Sequence, residues 1–165
     1  MKLPIVLIGP MGVGKTTIGK KLAKTLELPF LDTDAIITAN YGTPTTIFEQ
    51  QGESAFRALE EKVVAESLLT ESVIATGGGA VLSGNTQRKL LSCTVIYLAT
   101  DGKRIKSRLA TGSRPLLKNG FEDWKRIYEE RRPLYQGLAD LEIDVSRSSL
   151  KETVTEIVDR LKAND

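Results

Sequence analysis

Apolar residues along the chain gather in short runs separated by stretches with a helical repeat. Leu3 to Ile8 is an unbroken apolar run and predicts a buried strand, after which Ile18, Leu22 and Leu26 fall at helical spacing. Pro29 to Leu31 predicts a second, short strand that ends in Asp32-Thr33-Asp34. Helical material follows, punctuated by Gly42 and Gly52. From Glu53 to Leu69, Phe56, Leu59, Val63 and Val64 share one face of a long amphipathic helix. Val73 to Ala75 predicts a third strand, stopped by Gly77-Gly78-Gly79, and Val95 to Leu98 a fourth. Ile105 to Leu109 reads as helical, and Trp124 to Tyr135 as a helix with a break at Pro133. Leu141 to Val145 predicts a fifth strand. In the last helix Leu150, Val154, Ile157, Val158 and Leu161 recur at helical spacing, behind a Ser149–Glu152 capping box. Between Thr111 and Gly120 there is charge, Gly and Pro but no period.

Near-continuous apolar strands alternating with helices imply an α/β fold, a parallel sheet covered on both faces. Ligands of such sheets bind beyond the carboxyl ends of the strands, where Gly9 to Thr16, Asp32, Asp34 and Gly77 to Gly79 all fall. With 165 residues the chain has room for one core and one domain, 1–165. The net charge of +2 offers no broad basic field for nucleic acid. Histidine is absent, which leaves proton transfer to carboxylate, lysine or substrate. The single cysteine, Cys93, excludes an internal disulfide and reads as a buried structural thiol. Lys2 and the apolar run after it resemble the start of a signal peptide. The run is too short, however, and breaks into glycine and Lys15. No stretch reaches membrane-span length, so a cytoplasmic protein is expected.

Gly9-Pro-Met-Gly-Val-Gly14-Lys15-Thr16 matches G-x-x-x-x-G-K-[ST] between a predicted strand and a predicted helix. The glycines let backbone N–H groups converge on phosphate oxygens, and the helix N-terminus adds partial positive charge. Lys15 reaches the β- and γ-phosphates, and the Thr16 hydroxyl suits Mg²⁺. The pattern predicts nucleotide binding by this loop.

The other signals each admit two readings. Asp32 and Asp34, two apart on an extended chain, would both face the phosphate loop, one near a metal and one at an acceptor hydroxyl. Alternatively they mark a turn or a helix N-cap. Arg57 and Glu60 are helical neighbours, either a surface ion pair or an arginine fork held ready for a substrate carboxylate. The glycine triplet marks either close approach of backbone to a ligand or a flexible turn. The aperiodic segment with Arg114-Pro115-Leu116-Leu117 suits a lid closing over ATP. Arg131 and Arg132, at the end of a helix, also suit its dipole.

Taken together, these motifs resemble the shikimate kinase family, within the nucleoside monophosphate kinase-like P-loop proteins. The resemblance runs nearly end to end through the P-loop, Leu31-Asp-Thr-Asp34, Ile47-Phe48, Gly52-Glu53 with Phe56-Arg57 and Glu60, Gly77-Gly-Gly-Ala-Val81, Arg114-Pro-Leu-Leu117, and Arg131 with Pro133-Leu-Tyr135. It implies a three-layer αβα fold with five parallel strands in the order 2-3-1-4-5. Substrate-binding helices would lie at about 33–61 and a lid at about 111–121. It implies transfer of the ATP γ-phosphoryl group to the 3-hydroxyl of shikimate, in a monomer, with Mg²⁺ and with neither nucleic acid nor membrane as partner.

The residue roles follow from the same resemblance. Gly12, Val13, Gly14, Lys15, Thr16 and Thr17 serve the nucleotide, with Arg108 and Arg147 near the adenine. Thr16 holds the metal, and Asp32 supports it through water. Asp34 bonds substrate hydroxyls and is a candidate base. Arg57, Arg131 and the backbone around Gly78 and Gly79 hold the carboxylate, while Phe48 and Phe56 wall the ring. Arg114 reaches from the lid to the transferring phosphate. Competing readings are a gluconate-type kinase and a non-catalytic nucleotide switch. Against the switch, no asparagine is followed by lysine as a guanine motif requires.

Overall fold

A computed structural model describes residues 1–109 and 115–165. Five strands form one parallel sheet in the order β2-β3-β1-β4-β5. They are β1 (Ile5–Ile8), β2 (Phe30–Asp32), β3 (Val73–Ala75), β4 (Thr94–Ala99) and β5 (Leu141–Asp144). The expected order holds. Residues of the central strand β1 are buried on both faces, as in a sheet sandwiched between helices. At the edge, β5 instead alternates, with Leu141 and Ile143 buried and Glu142 and Asp144 exposed.

Alternation along β1 splits the core in two. Ile5 and Leu7 pack with Leu22 of α1 (Lys15–Leu26) and with Val154, Ile157 and Leu161 of α8 (Leu150–Ala163). Val6 and Ile8 face the opposite layer. There they meet Leu90 of α5 (Gly84–Leu90), Ile105 of α6 (Ile105–Leu109), and Trp124, Tyr128 and Tyr135 of α7 (Phe121–Leu138). A smaller cluster of Ile37, Ile47, Phe56 and Val63 joins α2 (Thr33–Tyr41), α3 (Pro44–Gln51) and α4 (Glu53–Ser67). The expected capping box is present, with Ser149 Oγ accepting from Glu152 N at 3.1 Å and Ser149 N donating to Glu152 Oε1 at 3.1 Å. Cys93 is buried, as expected of a structural thiol.

Three expectations are corrected. The strand entering Asp32-Thr33-Asp34 stops at Asp32, which accepts from Ala35 N at 3.1 Å as the N-cap of α2. Asp34 therefore sits on a first helical turn, not on extended chain. Helix α7 runs through Pro133 without a break. Pro133 and Glu129 lie on the exposed face, where the carbonyl that loses its donor can take water. Consequently Arg131 and Arg132 lie inside the helix and not at its end. The sequence pattern also missed α5 and the short 3-10 turn Ala80–Leu82 before it.

Register brings the working ends together. Ala75 of β3 pairs with Leu7 of β1 on one side and with Asp32 of β2 on the other. The segments leaving these strands (the P-loop, the start of α2 and the glycine triplet) therefore emerge side by side from one edge of the sheet.

Candidate active site

Two cavities open at that edge. One, of about 580 Å³, runs along the P-loop and the start of α1. The other, of about 410 Å³, lies between α3, α4, the glycine triplet and α7. Met11, Asp34, Gly77 and Gly78 line both and form the partition.

On its P-loop side the first cavity is built largely from backbone. Gly9 and Gly14 have φ of 146° and 106°, a region where other residues are strained. A side chain at Gly9 would also put its Cβ 2.7 Å from the Leu98 carbonyl oxygen. Helix α1 has no side-chain cap and no acidic residue in its first turn, so its N-terminal N–H groups and its field are left for an anion. Gly12, Val13, Lys15, Thr16 and Thr17 all line this cavity. Lys15 Nζ donates to the Gly9 carbonyl and, at 3.0 Å, to that of Pro10, which holds the ammonium at the loop. Thr16 Oγ1 donates to Asp32 Oδ2 at 2.5 Å. Asp32 is thus both an N-cap and the partner of the P-loop threonine.

The far wall comes from elements distant in sequence. Arg108 lines it and donates from Nη1 to the Gly12 carbonyl at 2.7 Å. Arg147 is exposed and is not among the lining residues; Ser148 and Ser149 are. Arg104, which the sequence pattern gave no reason to choose, lines the wall and donates to the Ser148 carbonyl at 3.1 Å.

Four charged side chains, Asp34, Arg57, Glu60 and Arg131, share the second cavity with an apolar wall. Arg57 Nη1 donates to Glu60 Oε1 at 2.8 Å, with Glu60 buried on the inner face of α4. The pair is therefore no surface ion pair. Burial raises the Glu60 pKa and Asp34 adds to the rise, while Arg57 and Arg131 oppose it. Arg131 is buried beside the cavity. Arg132 is exposed, its guanidinium 4.7 Å from the centre of the Tyr128 ring, so the adjacent pair of arginines divides cleanly. Phe48 and Phe56 form an apolar wall with ring centroids 5.0 Å apart, and Arg57 lies 5.3 Å from the Phe56 centroid.

The glycine triplet serves this cavity through what it lacks. None of its residues has a positive φ among the described backbone. A Cβ at Gly77 would lie 2.8 Å from Asp34 Oδ1 and 2.9 Å from Glu60 Oε2, and one at Gly79 would lie 2.3 Å from Arg57 Nη1. Absence of side chains here lets two carboxylates and a guanidinium press against the main chain. Behind the triplet, Tyr135 donates to the Gly78 carbonyl at 2.6 Å. Burial pushes the Tyr135 hydroxyl pKa up to about 12, with Arg131 opposing. Of the expected lid, Pro115 and Leu116 line the second cavity. Arg114 lies outside the described residues.

The family model for shikimate kinase matches residues 11–162. The chain belongs to the shikimate kinase family. A shikimate kinase of Rhodococcus jostii is 40% identical over 161 residues, covering 94% of this chain and 96% of that one. The solved shikimate kinase of Acinetobacter baumannii, in complex with shikimate, superposes with a TM-score of 0.92 at 34% identity, covering 98% of this chain and 93% of that one. A gluconokinase from Sinorhizobium meliloti has a TM-score of 0.60 at 20% identity over 97% of this chain and 93% of its own, a likeness of fold alone. Membership of the shikimate kinase family thus separates this chain from the gluconate-type reading.

Proposed function

We propose that the chain is an ATP-dependent shikimate kinase that places nucleotide in the P-loop cavity and shikimate in the arginine-lined one. The observation that carries this arrangement is Asp34, on the wall shared by the two cavities, with Arg57 and Arg131 lining only the second. A carboxylate at the partition meets an acceptor hydroxyl on one side and the phosphoryl group on the other.

Arg57, Arg131 and the backbone of Gly78 and Gly79 take the substrate carboxylate. The guanidinium fork binds such a group through two parallel hydrogen bonds, and Glu60 keeps the Arg57 fork oriented. Phe48 and Phe56 cover the ring. Asp34 orients the 3-hydroxyl and takes its proton as that oxygen bonds to the γ-phosphorus. The bond from phosphorus to the bridging oxygen breaks, ADP leaves, and shikimate 3-phosphate forms. Lys15 and the P-loop N–H groups stabilise charge on the phosphoryl oxygens. Arg114, from the lid, adds a further cation there, while Arg108 borders the base.

The paired oxygens of Thr16 and Asp32 at the floor of the P-loop suit a hard cation that retains several waters, so these residues fit Mg²⁺. Bound there with ATP, Mg²⁺ would neutralise phosphate charge. No described helix is long and apolar enough to cross a membrane. We read the enzyme as a cytoplasmic monomer with ATP, ADP and shikimate as its partners and no nucleic acid. ADP release by purified protein with Mg-ATP, with and without shikimate, tests the reading once the product is identified by mass. Shikimate-dependent turnover to a monophosphorylated acid is expected. Protein that binds ATP but shows no stimulation by shikimate would refute it.

A further inference from the structure

We propose that Trp124 and Tyr135 are positioning residues that together fix the partition between the two cavities, and through it the alignment of phosphoryl donor and acceptor. The inference rests on the proposed shikimate kinase reaction. Met11 and Gly78, which line both cavities, lie close together: a Cβ at Gly78 would lie 3.3 Å from Met11 Cγ and 3.4 Å from Met11 N. Gly78 has no side chain by which to be held, so its place depends on main-chain hydrogen bonds. Helix α7 supplies one to each strip of the partition. Trp124 Nε1 donates to the Met11 carbonyl at 2.7 Å, and Tyr135 donates to the Gly78 carbonyl at 2.6 Å.

Trp124 and Tyr135 are close to a whole number of helical turns apart, so they share a face of α7, about 16 Å from each other along its axis. Both are almost wholly buried, at 2% and 1% exposure. Their rings are braced in turn. Trp124 stacks on Phe121 with centroids 5.5 Å apart, and Tyr135 stacks on Tyr97 of β4 at 5.3 Å. Tyr97 is itself hydrogen-bonded to Tyr128. A rigid, aromatic-backed helix thus pins the P-loop at one point and the glycine triplet at another. Arg131 lies between the two pins on the same helix, so one element carries both an arginine of the carboxylate site and the supports of the partition. Neither aromatic residue lines the second cavity, and neither touches substrate in the proposed reaction; each acts through the backbone it holds.

Tyr135→Phe keeps the ring and its stack and removes only the donor. The steady-state constants for shikimate and ATP would be measured beside the melting temperature, and kcat repeated at raised viscosity to exclude control by product release. We expect kcat to fall about tenfold or more, as misplacement of reacting groups can cost up to about 100-fold. Both KM values should stay near wild type, the signature of an interaction used in the transition state. Trp124 replaced by its sulfur isostere 3-benzothienylalanine, which lacks the N–H, should act in the same direction. It also serves as the deciding variant if Tyr135→Phe melts below the assay temperature. Combined, the two changes should cost less than the product of their separate effects, because both loosen one partition. Wild-type kcat in a folded variant, or a raised KM with kcat unchanged, would overturn the proposal. Wild-type enzyme that fails to phosphorylate shikimate would instead overturn the function on which it rests.

Discussion

The two cavities use glycine for opposite reasons. Along the P-loop, Gly9 and Gly14 are needed for their dihedral angles: the chain turns through positive φ so that N–H groups converge on an anion. In the triplet Gly77 to Gly79 the backbone angles are ones other residues adopt, and the need is for space that a Cβ would fill. The nucleotide side therefore sets main-chain dipoles beside Lys15, Asp32 and Arg108, while the acceptor side admits the charges of Arg57, Glu60 and Arg131 against bare backbone, with an apolar wall of Phe48 and Phe56. A backbone cradle reads phosphate, common to every nucleotide. Discrimination between one hydroxy acid and another has to come from forked guanidinium groups and oriented carboxylates.

Changes on either side should separate these functions. The largest effect is expected for Lys15→Met, where kcat should fall by about 10²–10³-fold through loss of charge stabilisation. Shikimate binding by calorimetry should persist; its loss would mean that the cavities are not separable. Next, Arg57→Ala should weaken shikimate use by about 2–4 kcal/mol, the cost of losing a charged hydrogen bond and leaving Glu60 buried without that partner. ATP affinity should hold, and an unchanged shikimate KM would remove Arg57 from the carboxylate site.

A paired substitution sharpens the contrast further. Gly14→Ala, at φ 106°, should strain the loop by about 1–2 kcal/mol and weaken ATP binding. Gly79→Ala should leave ATP alone and displace the Arg57 guanidinium, which the new Cβ would meet at 2.3 Å. For that variant the shikimate KM should rise about tenfold, roughly 1.4 kcal/mol. Titrating each variant with both ligands checks the pairing; equal losses of both ligands in either would break it.

The smallest effect concerns Glu60 and stability. Burial raises its folded pKa above the ordinary 4.5. The folded state then binds the proton more tightly than the unfolded chain does. Its contribution to stability is full below 4.5 and is lost as pH rises through the folded value. Urea midpoints measured upward from pH 4.5 should show this decline in wild type and a flatter profile in Glu60→Gln. Identical slopes would mean that Glu60 is not the group responsible.

Local pattern carried most of the architecture. Val73 to Ala75 needed no revision as a strand, because three apolar residues before a glycine triplet leave little choice. Helix α8 followed from its apolar period and capping box. The misreadings have separate physical causes. Asp32-Thr33-Asp34 carries both strand-end and N-cap signals, and only the pairing of Asp32 with Ala75 decides where β2 stops. Proline predicts a helix break, but Pro133 lies on a solvent face, while Arg131 and Tyr135 on the buried face of α7 hold their places. Helix α5 was missed because Gly84 to Leu90 has too few apolar positions to show a period.

In the site, residues whose chemistry is local were legible. A P-loop is a contiguous device whose spacing determines its geometry, and Arg57–Glu60 are neighbours on any helix. Arg104 and Trp124 were not legible as site residues, and Tyr135 stood out only as part of a family motif with no role attached, since their partners are carbonyl groups, which leave no trace in residue identity. Sequence by itself thus determined the phosphate loop, the order of the five strands along the chain with most of their helices, and the stock of arginines and carboxylates. Only the tertiary structure decided that Glu60 is buried and that Asp34 stands on the wall between two cavities; it also turns inward Arg131, the arginine of the adjacent pair that the family resemblance had implied. The reason is that burial and the approach of side chain to distant backbone depend on how whole elements pack, and no local spacing encodes them.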